Sequence, residues 1–497
     1  MLDRLRRRDY CLWILCGWGS GPERSWGVTS LAWTHFKPSD LPSSTCGTLV
    51  SEFSPRRRSF WQTTLGTTVP LVTTTVTTTT AMPAKARTNP DTPAPATSQE
   101  TTIDTNPTPL PLRTVLLGAG IFASTTHAAV LEQHRNTVFA VVGVWSRRRT
   151  ERLIALADRF ACPAYAGDAD LLSLLARDDV DALVTSLPLD VQPQMVRQIL
   201  QHNAQGTRPK HVLSEKPIGP TVDAVTSLVE LYESHQQSPR HSAPYVWSVA
   251  ENFRYEPGIV ATSRAVATSV PTDADSSSSS SSSVPTHTIG TPLLASLQIR
   301  APFLPDNQFL NTPWRKNASW YGGLFIDSFV HHAAGLRAVL GEVETVSAVT
   351  SDRADYLPGV DTLAAQLTWS SGVQGVVSVT YAGRDLQYEF GITGTTGTVS
   401  LERAGLGHRL TVVSSSHTAS TGTDREKVAT TDNTSTTTTT EYGFTGVEEE
   451  FLAFAGACRG QGSDRNTPRE ALRDLALVET LLASGQQNGR PLPVPKY

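Results

Sequence analysis

Apolar residues in the second quarter of the chain recur with two alternating periods. "TVLLGAG" is a short apolar run that stops at glycines, the pattern of a buried strand. "TTHAAVLEQH" then has helical spacing, "VFAVVGVWS" is a second strand, and "RRTERLIALADRF" is a second helix. The alternation continues through "AYAG" (a short strand or turn), "DLLSLLARDDV" (helix), "DALVTSLP" (strand), "QPQMVRQILQHNA" (helix) and "HVLSEKP" (strand). It closes with "VDAVTSLVELYESH", whose apolar stripe is Val222, Val225, Leu228, Val229 and Tyr232, and with a strand at "YVWSVAENF". Strands alternating with helices predict a parallel sheet with right-handed crossovers.

After Gly290 the order changes. "LLASLQIRA", "VETVSAVTS", "TLAAQLTWS", "GVVSVTYAG", "YEFGITG", "TVSLERA" and "RLTVVSS" read as strands, several with no helix between them. Helices are predicted at "GLFIDSFVHHAAGLRAVLG", "GVEEEFLAFAGACRG" and "PREALRDLALVETLLASG". The fold class is therefore α/β: a doubly wound domain over 111–247, then an α+β domain over 248–497 with a large, mostly antiparallel open sheet. Residues 1–110 are rich in Thr and Pro without periodicity, and this composition predicts a tail with no core of its own. Its basic, acid-poor start leaves three readings open: a weak signal anchor, a transit peptide, or an extension upstream of a start at Met82. Two low-complexity inserts, near 269–288 and 414–440, read as solvated loops.

Charge removes some function classes. The chain has 42 basic and 46 acidic residues, which argues against nucleic acid as the main partner. No apolar run reaches the roughly 18 residues of a membrane span. The five cysteines include no C-x-x-C pair, so neither a zinc site nor a disulfide framework is expected, and no metal is assigned. These features suit a cytoplasmic protein, with a mitochondrial location as the alternative.

Chemistry enters at the strand ends. "GAGIFA" puts Gly118, Gly120 and Ala123 in the G-x-G-x-x-G/A frame, between a strand and a helix, as a pyrophosphate site requires. Ile121 and Phe122 lie in the same turn. Where an NAD site carries an acid at the end of the second strand, this chain has Ser146 and Arg147, followed by Arg148 and Arg149. Arginine suits a 2′-phosphate, so the expected cofactor is NADP(H). In "HVLSEKPIG", Glu215 and Lys216 fall at another strand end, and Pro217 restricts Lys216. That end faces the crevice where ligands of doubly wound folds bind.

Taken in order, "GAGIFA", "VLSEKP", "AENFRYEP" and "YGGLFIDSFVHHAAGLR" resemble the glucose–fructose oxidoreductase/inositol dehydrogenase (Gfo/Idh/MocA) family, in its eukaryotic NADP-dependent branch. The resemblance covers roughly Leu112 to Val494 and implies an oxidoreductase acting on a small carbonyl or alcohol of the sugar or polyol class. It implies that Lys216 contacts cofactor and substrate, and that Asp327 and His331, four apart on one helix, are catalytic. His331 would transfer the proton, and Asp327 would orient the substrate or support the imidazolium. His332 is the weaker candidate. Pro188 is placed by the resemblance at the nicotinamide pocket, with Glu215 beside Lys216. Asn252, Arg254, Trp314, Arg315 and Tyr321 are supporting candidates. Ser328 and Phe329 stand where the family has small residues. The family also implies a homo-oligomer, and it includes regulators that bind dinucleotide without catalysis, which is the alternative function.

Overall fold

The computed structural model describes residues 109–205, 208–237, 244–267, 289–317, 322–416 and 434–497. The expected N-terminal tail, apart from its last two residues, and the insert near 269–288 lie outside the described residues.

The first domain alternates β1 (Leu112–Leu117), a π-helical turn (Ala123–His127) leading into α1 (Ala128–Gln133), β2 (Phe139–Ser146), α2 (Glu151–Phe160), β3 (Ala164–Ala166) and α3 (Gly167–Ala176). It continues with β4 (Ala182–Thr185), α4 (Gln192–Gln205), β5 (His211–Glu215), α5 (Val222–Gln237) and β6 (Trp247–Ala250). These strands form a parallel sheet in the order β3-β2-β1-β4-β5-β6. The order reverses between β1 and β4, and that reversal opens a crevice at the strand ends. Val115, Leu116, Leu183 and Val184 are fully buried because helices cover both faces. β6 runs to Ala250, so the sheet extends past the expected boundary at 247.

A 3-10 turn (Asn252–Arg254) and α6 (Pro257–Val266) lead into the second sheet, whose strands are β7 (Pro292–Arg300), β8 (Val343–Ser351), β9 (Thr362–Trp369), β10 (Gln374–Thr380), β11 (Gln387–Gly394), β12 (Gly397–Ala404), β13 (Gly407–Ser416), β14 (Thr434–Tyr442) and β15 (Leu492–Pro493). Short α7 (Pro313–Lys316) and long α8 (Gly323–Leu340) lie between β7 and β8. α9 (Gly446–Cys458) and α10 (Pro468–Gln486) follow β14. The order is β14-β13-β12-β11-β7-β10-β9-β8-β15, antiparallel except between β7 and β10. Burial alternates along β9 and β10, so one face of the sheet is buried and the other points outward; α10 packs on β8, and α6 on β12 and β13.

Two placements correct the sequence reading. The stretch near 414–440 is not all loop: 434–442 is strand β14, paired along β13. Threonine is β-branched and suits a pleated surface, but a run of exposed threonines has no apolar alternation to reveal it. α9, assigned by position to the second domain, returns to the first. Its Val447, Phe451 and Phe454 share a core with Leu116, Phe139 and Leu153.

One buried network ties α10 to the domain junction. Asp474 is fully buried and accepts from Arg254 at 2.6 Å and from Arg337 at 2.5 Å. Removing it leaves two guanidinium groups short of their buried counter-ion. Asp474→Ala should therefore cost about 3–5 kcal/mol. Chemical denaturation would read this, and a loss under 1 kcal/mol would show that the network relaxes freely.

Candidate active site

The site begins at the β1 turn. Gly118 has φ +127°, and a β-carbon there would stand 2.2 Å from the Ser186 carbonyl oxygen at the end of β4. Only glycine lets the two strand ends approach so closely. A β-carbon on Gly120 would meet nothing within 4 Å. That open space belongs to a cleft of about 850 Å³, which runs from Gly118 and Gly120 past Ser146, Arg147 and Arg148. A dinucleotide fits this cradle: its glycines leave the backbone uncovered, and the chain after them turns into a helix. The Ser146 hydroxyl donates to the Arg148 carbonyl at 2.5 Å, which folds the basic turn. Glu151 and Asp168 also line the cleft, so the arginines are not its only charges.

The cleft continues into a cavity of about 250 Å³ and shares Gly120, Ser186 and Pro188 with it. Ile121, Phe122, Glu215, Lys216, Trp314, Arg315 and Asp327 line this second space. The structure thus brings every expected cofactor-contact residue to one of two adjoining cavities. Glu215 is held from both sides. One oxygen meets His127 Nε2 at 2.7 Å, and the other accepts from the Lys216 backbone N–H at 3.1 Å. Gln192 donates to the carbonyls of Glu215 and Pro217 and clamps the backbone on either side of Lys216. The Lys216–Pro217 peptide is cis.

Lys216 reaches across to the second domain. Its Nζ donates to the Asp327 carbonyl at 2.9 Å and to Asp327 Oδ1 at 3.2 Å. Arg315 Nε donates to Asp327 Oδ2 at 2.8 Å, and its guanidinium lies 4.0 Å from the centre of the Trp314 ring. Burial would raise the Asp327 carboxyl, but Arg315 and Lys216 outweigh it and hold it well below the usual carboxylate range.

His331 follows one helical turn later, but it does not pair with Asp327. Its Nδ1 meets Glu251 Oε1 at 2.7 Å, its ring stacks on Phe253 at 5.1 Å, and its Nε2 has no hydrogen-bond partner among the described residues. The expectation that Asp327 supports the imidazolium is corrected, because Lys216 and Arg315 occupy both carboxylate oxygens. Nor does His331 line the 250 Å³ cavity. Glu251 is the residue that sequence reasoning passed over. The available signal was an acid just past the end of β6, the neighbour of the strand that ends in Glu215.

The other candidates sort by what they touch. Asn252 donates to Glu256, and Arg254 belongs to the Asp474 network, so both are structural. Trp314 and Arg315 face the cavity, and Tyr321 lies outside the described residues. His332 sits among Phe253, Phe329 and Tyr388, and burial, then His331 and His408, push its imidazole well below its ordinary pKa. Phe329 stacks on Phe325 in the core and does not narrow the cavity.

A doubly wound domain with a dinucleotide cradle, opening into a cavity closed by a Lys–Asp pair from two domains, defines a nicotinamide-dependent oxidoreductase. Family models agree: "Oxidoreductase family, NAD-binding Rossmann fold" matches residues 112–239, and "Oxidoreductase family, C-terminal alpha/beta domain" matches 282–494. The chain belongs to the Gfo/Idh/MocA family, and is an NAD(P)-dependent oxidoreductase acting on CH–OH or carbonyl groups. Dehydrogenase FPY6 of Fusarium mangiferae is 30% identical over 391 residues, 75% of this chain and 96% of its own length. An uncharacterized protein of Saccharomyces cerevisiae is 26% identical over 392 residues, 76% of this chain and 97% of its own. An oxidoreductase of Thermotoga maritima superposes with TM-score 0.60 at 26% identity, covering 77% of this chain and 98% of its own. The WlbA dehydrogenase of Bordetella pertussis, solved with NADH and UDP-GlcNAcA, shares the fold with TM-score 0.58 at 20% identity, covering 78% of this chain and 99% of its own. No helix among the described residues is long and apolar enough to cross a membrane.

The two glycines should separate folding from binding. Gly118→Ala sets a β-carbon against the Ser186 backbone and should cost roughly 1–3 kcal/mol or more in stability. Gly120→Ala should leave stability near wild type while weakening NADPH binding. Denaturation and fluorescence titration of both variants check this, and an equally stable Gly118→Ala would refute the packing argument.

Proposed function

We propose that the protein reduces a small carbonyl compound of the sugar or polyol class with NADPH, and oxidises the corresponding alcohol in reverse. The observation that carries this reading is the Lys216–Asp327 pair, which joins the two domains on the wall of a cavity continuous with the dinucleotide cleft. A largely apolar cavity with Trp314 on its wall and the charged groups of Lys216, Arg315 and Asp327 converging in it suits a hydroxylated ring, such as the one carried by the sugar nucleotide in the WlbA complex. The preference for NADPH is supported by Arg147 and Arg148 lining the cleft beyond Ser146, where no carboxylate follows β2 directly.

A reduced nicotinamide bound in the cleft supplies a hydride to the carbonyl carbon. Lys216 turns from Asp327 toward the carbonyl oxygen and stabilises the charge that gathers there as the C=O π pair moves onto oxygen. His331 Nε2 delivers the proton that completes the alcohol, directly or through one water. His331 stands one helical turn from Asp327 on α8 and does not itself line the cavity, so the transfer requires its ring to gain access to the oxygen held near Asp327. Asp327 steers Lys216 and Arg315. The outer face of the second sheet, where Leu294 and Val376 are half-exposed, supports a homo-oligomer.

Two experiments test the reading. Arg147→Ala should weaken NADPH binding by about tenfold to a hundredfold while leaving NADH binding almost unchanged, the loss of one charge-assisted contact. Equal affinities for the two cofactors in the wild type would dismiss the preference. His331→Ala should lower kcat by about 10²–10⁴ on an aldehyde or sugar substrate found by panel screening, with NADPH affinity retained. Full activity in that variant would move proton transfer to another group.

A further inference from the structure

We propose that Glu251 is a positioning residue for proton transfer, which fixes the ring of His331 so that only Nε2 faces the reacting oxygen. The inference rests on the reading of His331 given above and adds the group that sets its tautomer.

Glu251 is itself held firmly. It follows β6 and caps the 3-10 turn, where its Oε1 accepts from the Phe253 N–H at 3.1 Å and also meets His331 Nδ1 at 2.7 Å. Its residue is 1% exposed, and its Oε2 has no protein partner. Burial would raise this carboxyl, yet His331, Arg254 and Lys216 together hold it below its ordinary pKa. An ionised carboxylate only accepts hydrogen bonds, so it selects the tautomer with the proton on Nδ1. Nε2 is then the nitrogen left to take a proton from an alcohol. Phe253, from the same turn, stacks on the other side of the arrangement and leaves the ring one plane.

The pairing is selective. His332 is adjacent and equally buried, but neither of its ring nitrogens has a hydrogen-bond partner among the described residues. The groups acting on the Glu251–His331 pair are Lys216 from the end of β5, Arg254 from the 3-10 turn, Glu450 from α9 and Asp474 from α10, with His332 alongside on α8. Asp327, on the same helix as His331, is taken up by Lys216 and Arg315.

The test is Glu251→Gln, which keeps an acceptor oxygen, removes the charge and adds an amide donor, so that Nδ1 is no longer held to one tautomer. At neutral pH kcat should drop about tenfold to a thousandfold, with NADPH affinity unchanged. Glu251→Asp, which retains the carboxylate, should recover most of the activity, and it serves if the glutamine variant does not fold. Imidazole ¹⁵N NMR of the cofactor-free protein gives a readout that needs no substrate. His331, assigned by its loss in His331→Ala, should carry its neutral-form proton on Nδ1 in the wild type and divide it between the two nitrogens in Glu251→Gln. An unchanged tautomer in Glu251→Gln overturns the positioning role whatever the activities. A changed tautomer with full activity in His331→Ala overturns it through the function on which it rests, and leaves only a structural pair.

Discussion

Asp327 is a buried carboxylate that touches two cations from different parts of the chain. Burying one charge costs several kcal/mol unless partners compensate it, and removing a partner exposes that cost in full. Lys216 comes from the end of β5 and Arg315 from α7, so the first domain, the approach to α8 and α8 itself must meet at this point. The contact also forms part of the wall of the cavity into which the cofactor cleft continues. In the reaction we propose, a substrate oxygen competes with Asp327 for Lys216, and Arg315 keeps the carboxylate from being stranded while it does so.

The ends of neighbouring parallel strands use one device twice. β5 ends in Glu215, which holds His127 and the Lys216 N–H, and β6 is followed by Glu251, which holds His331. In each case a buried acid is matched to an imidazole on an element that packs against the strand end. The two pairs brace the segment that carries Lys216 and the helix that carries His331. α9 completes the support by crossing back from the second sheet to cover β1 and β2, with the Phe451 ring 5.1 Å from the His127 ring. The division of the chain into two sequence regions therefore understates how far each domain depends on the other.

Local periodicity made most elements legible. The parallel order followed from strands alternating with helices, and the cofactor cradle from glycines at a strand-to-helix turn. Lys216 was legible because a charged pair ending an apolar strand before proline has few other uses. β14 was not, since a run of exposed threonines carries no face-to-face contrast. Asp327 and His331 were legible as neighbours on one helix face, which made a direct partnership between them the simple expectation.

What the sequence determined by itself was which residues share an element: the strands and helices, the glycine turn, the lysine at a strand end, and the acid and imidazole one turn apart. Those relations are local and depend only on backbone period and residue type. The tertiary structure alone decided who pairs with whom. Asp327 faces Lys216, which lies 111 residues away, and His331 faces Glu251, which lies 80 away. No periodicity spans such distances. Which buried charge meets which counter-charge is set by the packing of α8 against the strand ends of the other domain, and by the cost of leaving any of those charges alone.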